Sequence, residues 1–197
     1  MKKLLLLVAL LMAISGCKPV VNTQIPTETP VIDVTPTLTA TATITPVALS
    51  YAGVTYTDEI GKFAFDYPDT WTLDAEQVIG DRGTQTLLLS PGSTAETIAE
   101  GGARIVLMRY DWDPKNDLAA RVAQRKTAWD ASGFVIVDES TRELEDGRAV
   151  VDLLMQTTDK TQFLVSLTTI GDKYLEISAE GNLGLCKEIL ATLRSIN

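Results

Sequence analysis

Phe63, Phe65 and Tyr67 alternate with Ala64 and Asp66, which predicts a strand with an aromatic face, and Pro68-Asp69 predicts its end. Residues 86–89 and 103–110 are further strands. Within the second, Ile105-Val106-Leu107-Met108 is unbroken by polar residues, the pattern of a central strand covered on both faces. Residues 92–102 read as a loop with room for one helical turn over 94–99. The period then lengthens. Leu118, Val122 and Trp129 recur at helical spacing with Ala119 and Ala123 beside them, so a helix is expected from an Asp117 cap to a stop at Gly133, with Arg121, Arg125 and Lys126 facing water. Four strands follow, at residues 134–144, 148–157, 161–170 and 174–178. Glu145-Asp146-Gly147, Thr158-Asp159-Lys160 and Gly171-Asp172-Lys173 separate them, and the Asp-Gly pair signals a hairpin. Asn182 is placed to cap a closing helix in which Cys186, Ile189, Leu190 and Leu193 share a face. The order predicts an α+β domain over residues 50–197, an antiparallel sheet with two main helices around a single core.

The pattern before residue 50 is of two other kinds. Met1-Lys2-Lys3 precedes an apolar run over residues 4–13, then Ile14-Ser15-Gly16-Cys17. A basic start, a short apolar stretch and small residues before a cut site define a secretory leader over residues 1–16. The run is shorter than the about 20 residues a helix needs to span a bilayer. The Ser-Gly-Cys ending resembles the bacterial lipobox. That resemblance implies that Cys17 is acylated, palmitate being a typical chain, and becomes the new N-terminus. It also implies two or three acyl chains, and with about 0.8 kcal/mol for each buried methylene these anchor stably where one would not.

Residues 17–49 then read as a disordered tether. Threonines and the prolines 19, 26, 30, 36 and 46 dominate, only Lys18, Glu28 and Asp33 are charged, and there is no aromatic residue. Proline removes amide donors, and the rest offers nothing to build a core from. A short strand over the Thr-Ala alternation at 39–44 is the competing reading, and the tract has the composition of an O-glycosylated stalk.

Charge and residue inventory narrow the function. Seventeen basic residues face 26 acidic ones, a formal net charge of −9, and loss of the leader removes two more lysines. Phosphate backbones repel such a chain, so nucleic acid is excluded as a partner. The same charge keeps the domain off anionic lipid and leaves attachment to the acyl group. There is no histidine, which excludes Ser-His-Asp and Cys-His catalysis and His-ligated zinc. Of the two cysteines, Cys17 is assigned to lipid. Cys186 therefore has no disulfide partner within the chain, and its apolar neighbours at +3, +4 and +7 place it in the core.

Gly61-Lys62-Phe63-Ala64-Phe65-Asp66-Tyr67-Pro68-Asp69-Thr70-Trp71 resembles the opening of PsbP-like domains, and residues 186–196 are similar to their last helix. The family takes its name from an extrinsic subunit of photosystem II. The resemblance covers residues 52–196 and implies an α/β/α sandwich whose closing helix docks on the sheet. It also implies a noncatalytic module that binds or stabilises other proteins. Histidines proposed as metal ligands in the photosystem subunit have no counterpart here. On physical grounds alone, Tyr-Pro-x-x-Trp places a proline at the end of an edge strand and two aromatics as a plug on the sheet end.

Candidate sites are few. Asp111, Asp113 and Asp117 form the densest carboxylate run, the ligand type that hard cations use. As a calcium loop the spacing fails, with Lys115 at the fifth position, Asn116 at the glycine position and Val122 at the closing glutamate; Asp117 as a helix cap is the alternative. Trp112, inside this run, is a candidate interaction residue if exposed, or a lid on the sheet if folded back. Ser90 lies in a Ser-Pro-Gly-Ser loop with no histidine to activate it. Gly101-Gly102 lacks the Gly-Lys-Ser/Thr of a phosphate loop, and Glu143, Glu145 and Asp146 read as a solvated hairpin tip. The sequence is read as a noncatalytic lipoprotein without cofactor, held through Cys17 in the cell or outer membrane facing away from the cytoplasm, where it binds or stabilises an envelope protein. A carboxylate- or metal-dependent hydrolase and a small-ligand carrier are the alternatives.

Overall fold

The computed structural model describes residues 48–80 and 83–196, so the leader, Cys17 and all but the last two residues of the tether lie outside the described residues. The described chain runs β1 (Gly53–Asp58), β2 (Phe63–Pro68), β3 (Thr72–Leu73), β4 (Gln77–Ile79), β5 (Gly83–Leu89), β6 (Ala103–Asp111), α1 (Leu118–Ala131), β7 (Val135–Glu143), β8 (Ala149–Gln156), β9 (Gln162–Ile170), β10 (Lys173–Gly181), α2 (Leu183–Ala191) and β11 (Arg194–Ser195). The large sheet has the order β3-β5-β6-β10-β9-β8-β7, with β4 also paired to β5, and the small sheet the order β1-β2-β11. Every pairing is antiparallel. Strands β7 to β10 are the expected meander. The chain closes the sheet by laying β10 against β6 across the full length of both.

Alternation sorts the side chains of the large sheet between two layers. On one face Leu153, Met155, Val165, Leu167 and Tyr174 pack against Val122 and Trp129 of α1. On the other, Ile105, Leu107, Leu175 and Ile177 pack against Cys186 and Ile189 of α2 and Phe63 and Phe65 of the small sheet. The result is α+β, a largely antiparallel sheet with one main helix on each face and the small sheet sharing the α2 side.

Both helices start where their caps predict. Asp117 accepts the amide of Ala119, Asn182 accepts that of Leu185, and α1 ends where Gly133 takes φ 82°. Cys186 and Ile189 are fully buried, as their spacing predicts, whereas Leu193 lies past the end of α2 and reaches the core from the following turn.

Several expectations fail for identifiable reasons. The inward stripe of α1 is Leu118, Val122, Arg125 and Trp129, while Ala119 and Ala123 are exposed. Arg125 takes the inward position because Glu176, itself buried on β10, pairs with its guanidinium. Arg121 and Lys126 also reach inward, Arg121 lying 5.2 Å from the Tyr174 ring centre and Lys126 2.6 Å from both Glu139 oxygens. Their long stems follow the sheet while the charged ends find partners. Strand β6 is central but not covered on both faces: Ile105 and Leu107 are buried while Val106 and Met108 are only half-buried, because α1 packs on residues of β8, β9 and β10. Residues 94–99 form no helix; the Thr94 hydroxyl accepts the amides of Glu96 and Thr97 and holds the loop as a turn. Strand β2 is the middle of the small sheet rather than an edge, yet its proline end is open because β11 pairs only with Ala64 and Phe63. Trp71 then folds under as expected and is buried in the α2-side core.

Candidate functional site

The acidic run between β6 and α1 does not assemble into a ligand set. Asp111 receives the Lys173 ammonium at 2.8 Å, Asp113 accepts the amide of Lys115 at 3.0 Å, and Asp117 accepts that of Ala119 at 3.0 Å. Among the described residues no group of three acidic or thiol side chains is placed to hold a metal ion. Trp112 is half-buried and stacks on Tyr174, with ring centres 5.6 Å apart and planes at 25°. Burial, reinforced by the Glu176 carboxylate, raises the Tyr174 hydroxyl well above its ordinary range. Ser90 is a structural residue: its buried Oγ accepts the Ala103 amide at 2.8 Å and contacts Ser93 Oγ at 2.9 Å.

Two polar clusters were not apparent in the sequence. In the first, Arg109 occupies a core-facing position of β6 and pairs with buried Asp58 at the end of β1, with half-exposed Glu76 as a second carboxylate at 3.0 Å. This guanidinium joins the small sheet to the large one. Beside it Ile60, Val78, Gly83, Tyr110 and Lys173 line a shallow cavity of about 240 Å³. Its two cations are already matched by carboxylates, so it carries little net field.

The second cluster lines a groove of about 290 Å³ between α2 and strands β7 to β9. Its floor is Leu154 and Leu164, and Leu190 and Ala191 of α2 form one wall. Arg142 from β7 donates its Nε to Asp152 Oδ2 at 2.8 Å and an Nη to the Leu190 carbonyl at 2.9 Å, adding a charged donor to an end of α2 that the Leu193 amide also reaches. Ser166 donates to the other oxygen of Asp152. Lys187 at the rim makes no ion pair among the described residues. Arg142, Asp152 and Ser166 lie far apart in the chain and come together only because β7, β8 and β9 are adjacent. Strand alternation places each of them on one face, but the sequence does not show which helix covers that face.

Outside the groove the sheet ends on β7. Among the described residues, the nine of this strand have β8 on one side and no strand on the other, whereas the opposite border is made of β3 and β4, two and three residues long. Val135 and Val137 on β7 are 56% and 47% exposed. The pairing with β8 skips Val137, which marks a bulge near the start of the strand.

The architecture is that of a PsbP-like domain, an antiparallel sheet between helices with a small sheet beside the closing helix. The solution structure of cyanobacterial PsbP from Synechocystis sp. PCC 6803 superposes with a TM-score of 0.56 over 78% of this chain and 97% of that one, at 16% identity. A crystal structure from Bacteroides thetaiotaomicron aligns with 74% of this chain and 49% of its own, at 16% identity and a TM-score of 0.37. No family model matches the chain, and no curated protein matches it.

Proposed function

We propose that this chain is a lipid-anchored, noncatalytic binding module that holds or stabilises another protein of the cell envelope. The observation that carries the reading is the fold, PsbP-like over 78% of the chain, together with the partner-binding role that a PsbP-like resemblance implies. The site chemistry is in keeping with it. Ser90 is used as a turn clamp, and the three aspartates between β6 and α1 are used by Lys173, a loop amide and a helix cap. Anchoring is supported by Ile14-Ser15-Gly16-Cys17 behind a basic and apolar leader. Acyl chains on Cys17 supply the membrane affinity, and the tether carries the domain away from the bilayer.

The test is affinity isolation from solubilised membranes with the lipidated chain as bait, alongside fractionation of a Cys17→Ser form. A stoichiometric envelope protein retained through high-salt washes, and release of Cys17→Ser into the soluble fraction, are the expected results. Retention of Cys17→Ser with membranes would overturn the anchor, and failure to retain any protein at stoichiometry would overturn the binding role.

A further inference from the structure

The binding reading leaves open where on the domain a partner sits. We propose that the free edge of β7 takes up an extended segment of the partner as an added antiparallel or parallel strand, a segment that alternates basic with apolar residues. This inference rests on the partner-binding reading and names its surface.

Three observations converge on β7. The first is the backbone. The Leu144 amide donates to the Arg148 carbonyl at 2.8 Å and so sets the phase of the β7–β8 ladder. Two and four residues back, Arg142 and Ser140 point their amides at β8, and Glu139, Thr141 and Glu143 point theirs outward. An edge of this kind, open over most of nine residues, is the template that strand addition uses.

The second is shape. Asp138, Ser140 and Arg142 form the β7 side of the groove under α2. A strand laid beside β7 would therefore direct every second side chain to the α2 side of the sheet, at the mouth of this groove beside Asp138, Ser140 and Arg142. At about 290 Å³ the groove has room for a few aliphatic side chains and not for a folded element.

The third is charge. The other face of β7 presents Glu139, whose two oxygens Lys126 already takes, and Glu143, which is exposed and makes no ion pair among the described residues. A basic side chain at the matching position of the incoming strand would meet the Glu143 carboxylate. The same charges argue against a second copy of the chain as the occupant. Two β7 edges would bring their glutamates together in molecules that already carry a net charge of −9. The bulge and the acidic residues thus guard the edge against self-pairing while leaving it open to a basic strand.

The probe is a ten-residue peptide of alternating Lys and Val, titrated into the full-length chain in detergent micelles by fluorescence anisotropy, with hydrogen exchange followed over the strand amides. Binding that slows exchange at Glu139, Thr141 and Glu143, and that weakens with added salt, is expected. Thr141→Pro removes an outward amide without touching the β8 ladder and should weaken binding about tenfold. Glu143→Lys, at an exposed position, should weaken it to a similar degree, and a peptide with a central Pro should not bind. No binding, binding that protects a different strand, or β7 protection that appears with protein concentration alone would each overturn the proposal. The peptide experiment decides the edge, and the affinity isolation decides the binding role. A partner captured equally well by wild type, Thr141→Pro and Glu143→Lys would sustain the role while refuting the edge.

Discussion

Arg194 donates from both terminal nitrogens to the Asp66 carboxylate, at 3.2 Å to Oδ2 and 3.0 Å to Oδ1, and so fastens the end of the chain to its second strand. Thr192 adds to the same junction: its Oγ accepts the Asp66 amide at 2.7 Å. Burial alone would raise the Asp66 carboxyl, but hydrogen bonds from Arg194 and Thr55 and the Arg194 charge outweigh it, and the group is held below the usual aspartate range.

A pH dependence follows from that depression. In the unfolded chain Asp66 titrates at its ordinary value, and in the fold it releases its proton at lower pH. The stabilisation is therefore complete above the unfolded pKa and is lost as pH falls through the folded one. Asp66→Asn should lower stability by about 1 kcal/mol at neutral pH, since the pair is only partly buried. The difference between wild type and Asp66→Asn should shrink below about pH 4. Urea denaturation of both forms between pH 3 and 7 measures it, and a constant difference across that range would refute the assignment.

The Arg109–Asp58 pair should behave differently because both groups are buried. Asp58→Ala leaves a guanidinium in the core with only half-exposed Glu76 to answer it, at a cost of about 3 kcal/mol. Glu76→Ala should cost well under about 1 kcal/mol. The double variant Asp58→Ala/Arg109→Met should recover part of the loss, since no buried charge then remains, while the Ile60 and Gly61 amides that Asp58 Oδ1 accepts stay unpaired. Denaturant midpoints of the three variants give the comparison; equal costs for Asp58→Ala and Glu76→Ala would show that Arg109 is reached by water.

These two pairs also show what the sequence could and could not disclose. The strand alternation of Phe63 to Tyr67, the Asp117 and Asn182 caps and the Asp-Gly hairpin are local signals, and each fixed an element that the structure contains. Arg109 is a long-range case. At position seven of an alternating strand it reads as one polar break, and only the return of β1 across β6 supplies the carboxylate that lets it be buried. Arg125 misled for the same reason, because Glu176 lies 51 residues away on β10. The strands β3, β4 and β11 are two or three residues long, too short for any period to register. The groove under α2 was invisible for a further reason: it depends on which face of the sheet α2 covers, and both faces of β8 and β9 carry apolar residues.

Glycine positions offer a test of close packing. Gly181 ends β10 at φ 91°, and a methyl group there would stand 2.3 Å from the Gly102 carbonyl oxygen, part of the backbone. Gly171 has φ 60° with nothing within 4 Å of the same methyl group. Gly171→Ala should cost only the left-handed backbone strain, about 1 kcal/mol. Gly181→Ala adds a clash that moves main chain, and should cost about 3 kcal/mol or prevent folding. Thermal unfolding of the two variants tests the ranking, and a Gly171→Ala form less stable than Gly181→Ala would contradict this packing of β10 against β6.

Cys186 provides the last test, of the α2-side core. The thiol is fully buried on the inner face of α2, and burial pushes it up to about 12. At pH 8 the thiolate that reacts is therefore scarce, and a water-soluble thiol reagent has no path to it. In a Cys17→Ser background, where Cys186 is the remaining thiol, labelling should proceed only as fast as the domain opens and should reach the free-thiol rate in denaturant. Cys186→Ala should be tolerated at a cost of about 1 kcal/mol for the small cavity. Cys186→Ser should cost more, because the nearest acceptor, the Glu180 carbonyl, lies 4.0 Å away from Sγ and the new hydroxyl would be left without a good partner. Native-state labelling near the rate of the unfolded chain would mean that α2 lifts from the sheet. The groove wall formed by Leu190 and Ala191 would then be transient as well, and strand addition at β7 would have to proceed without it.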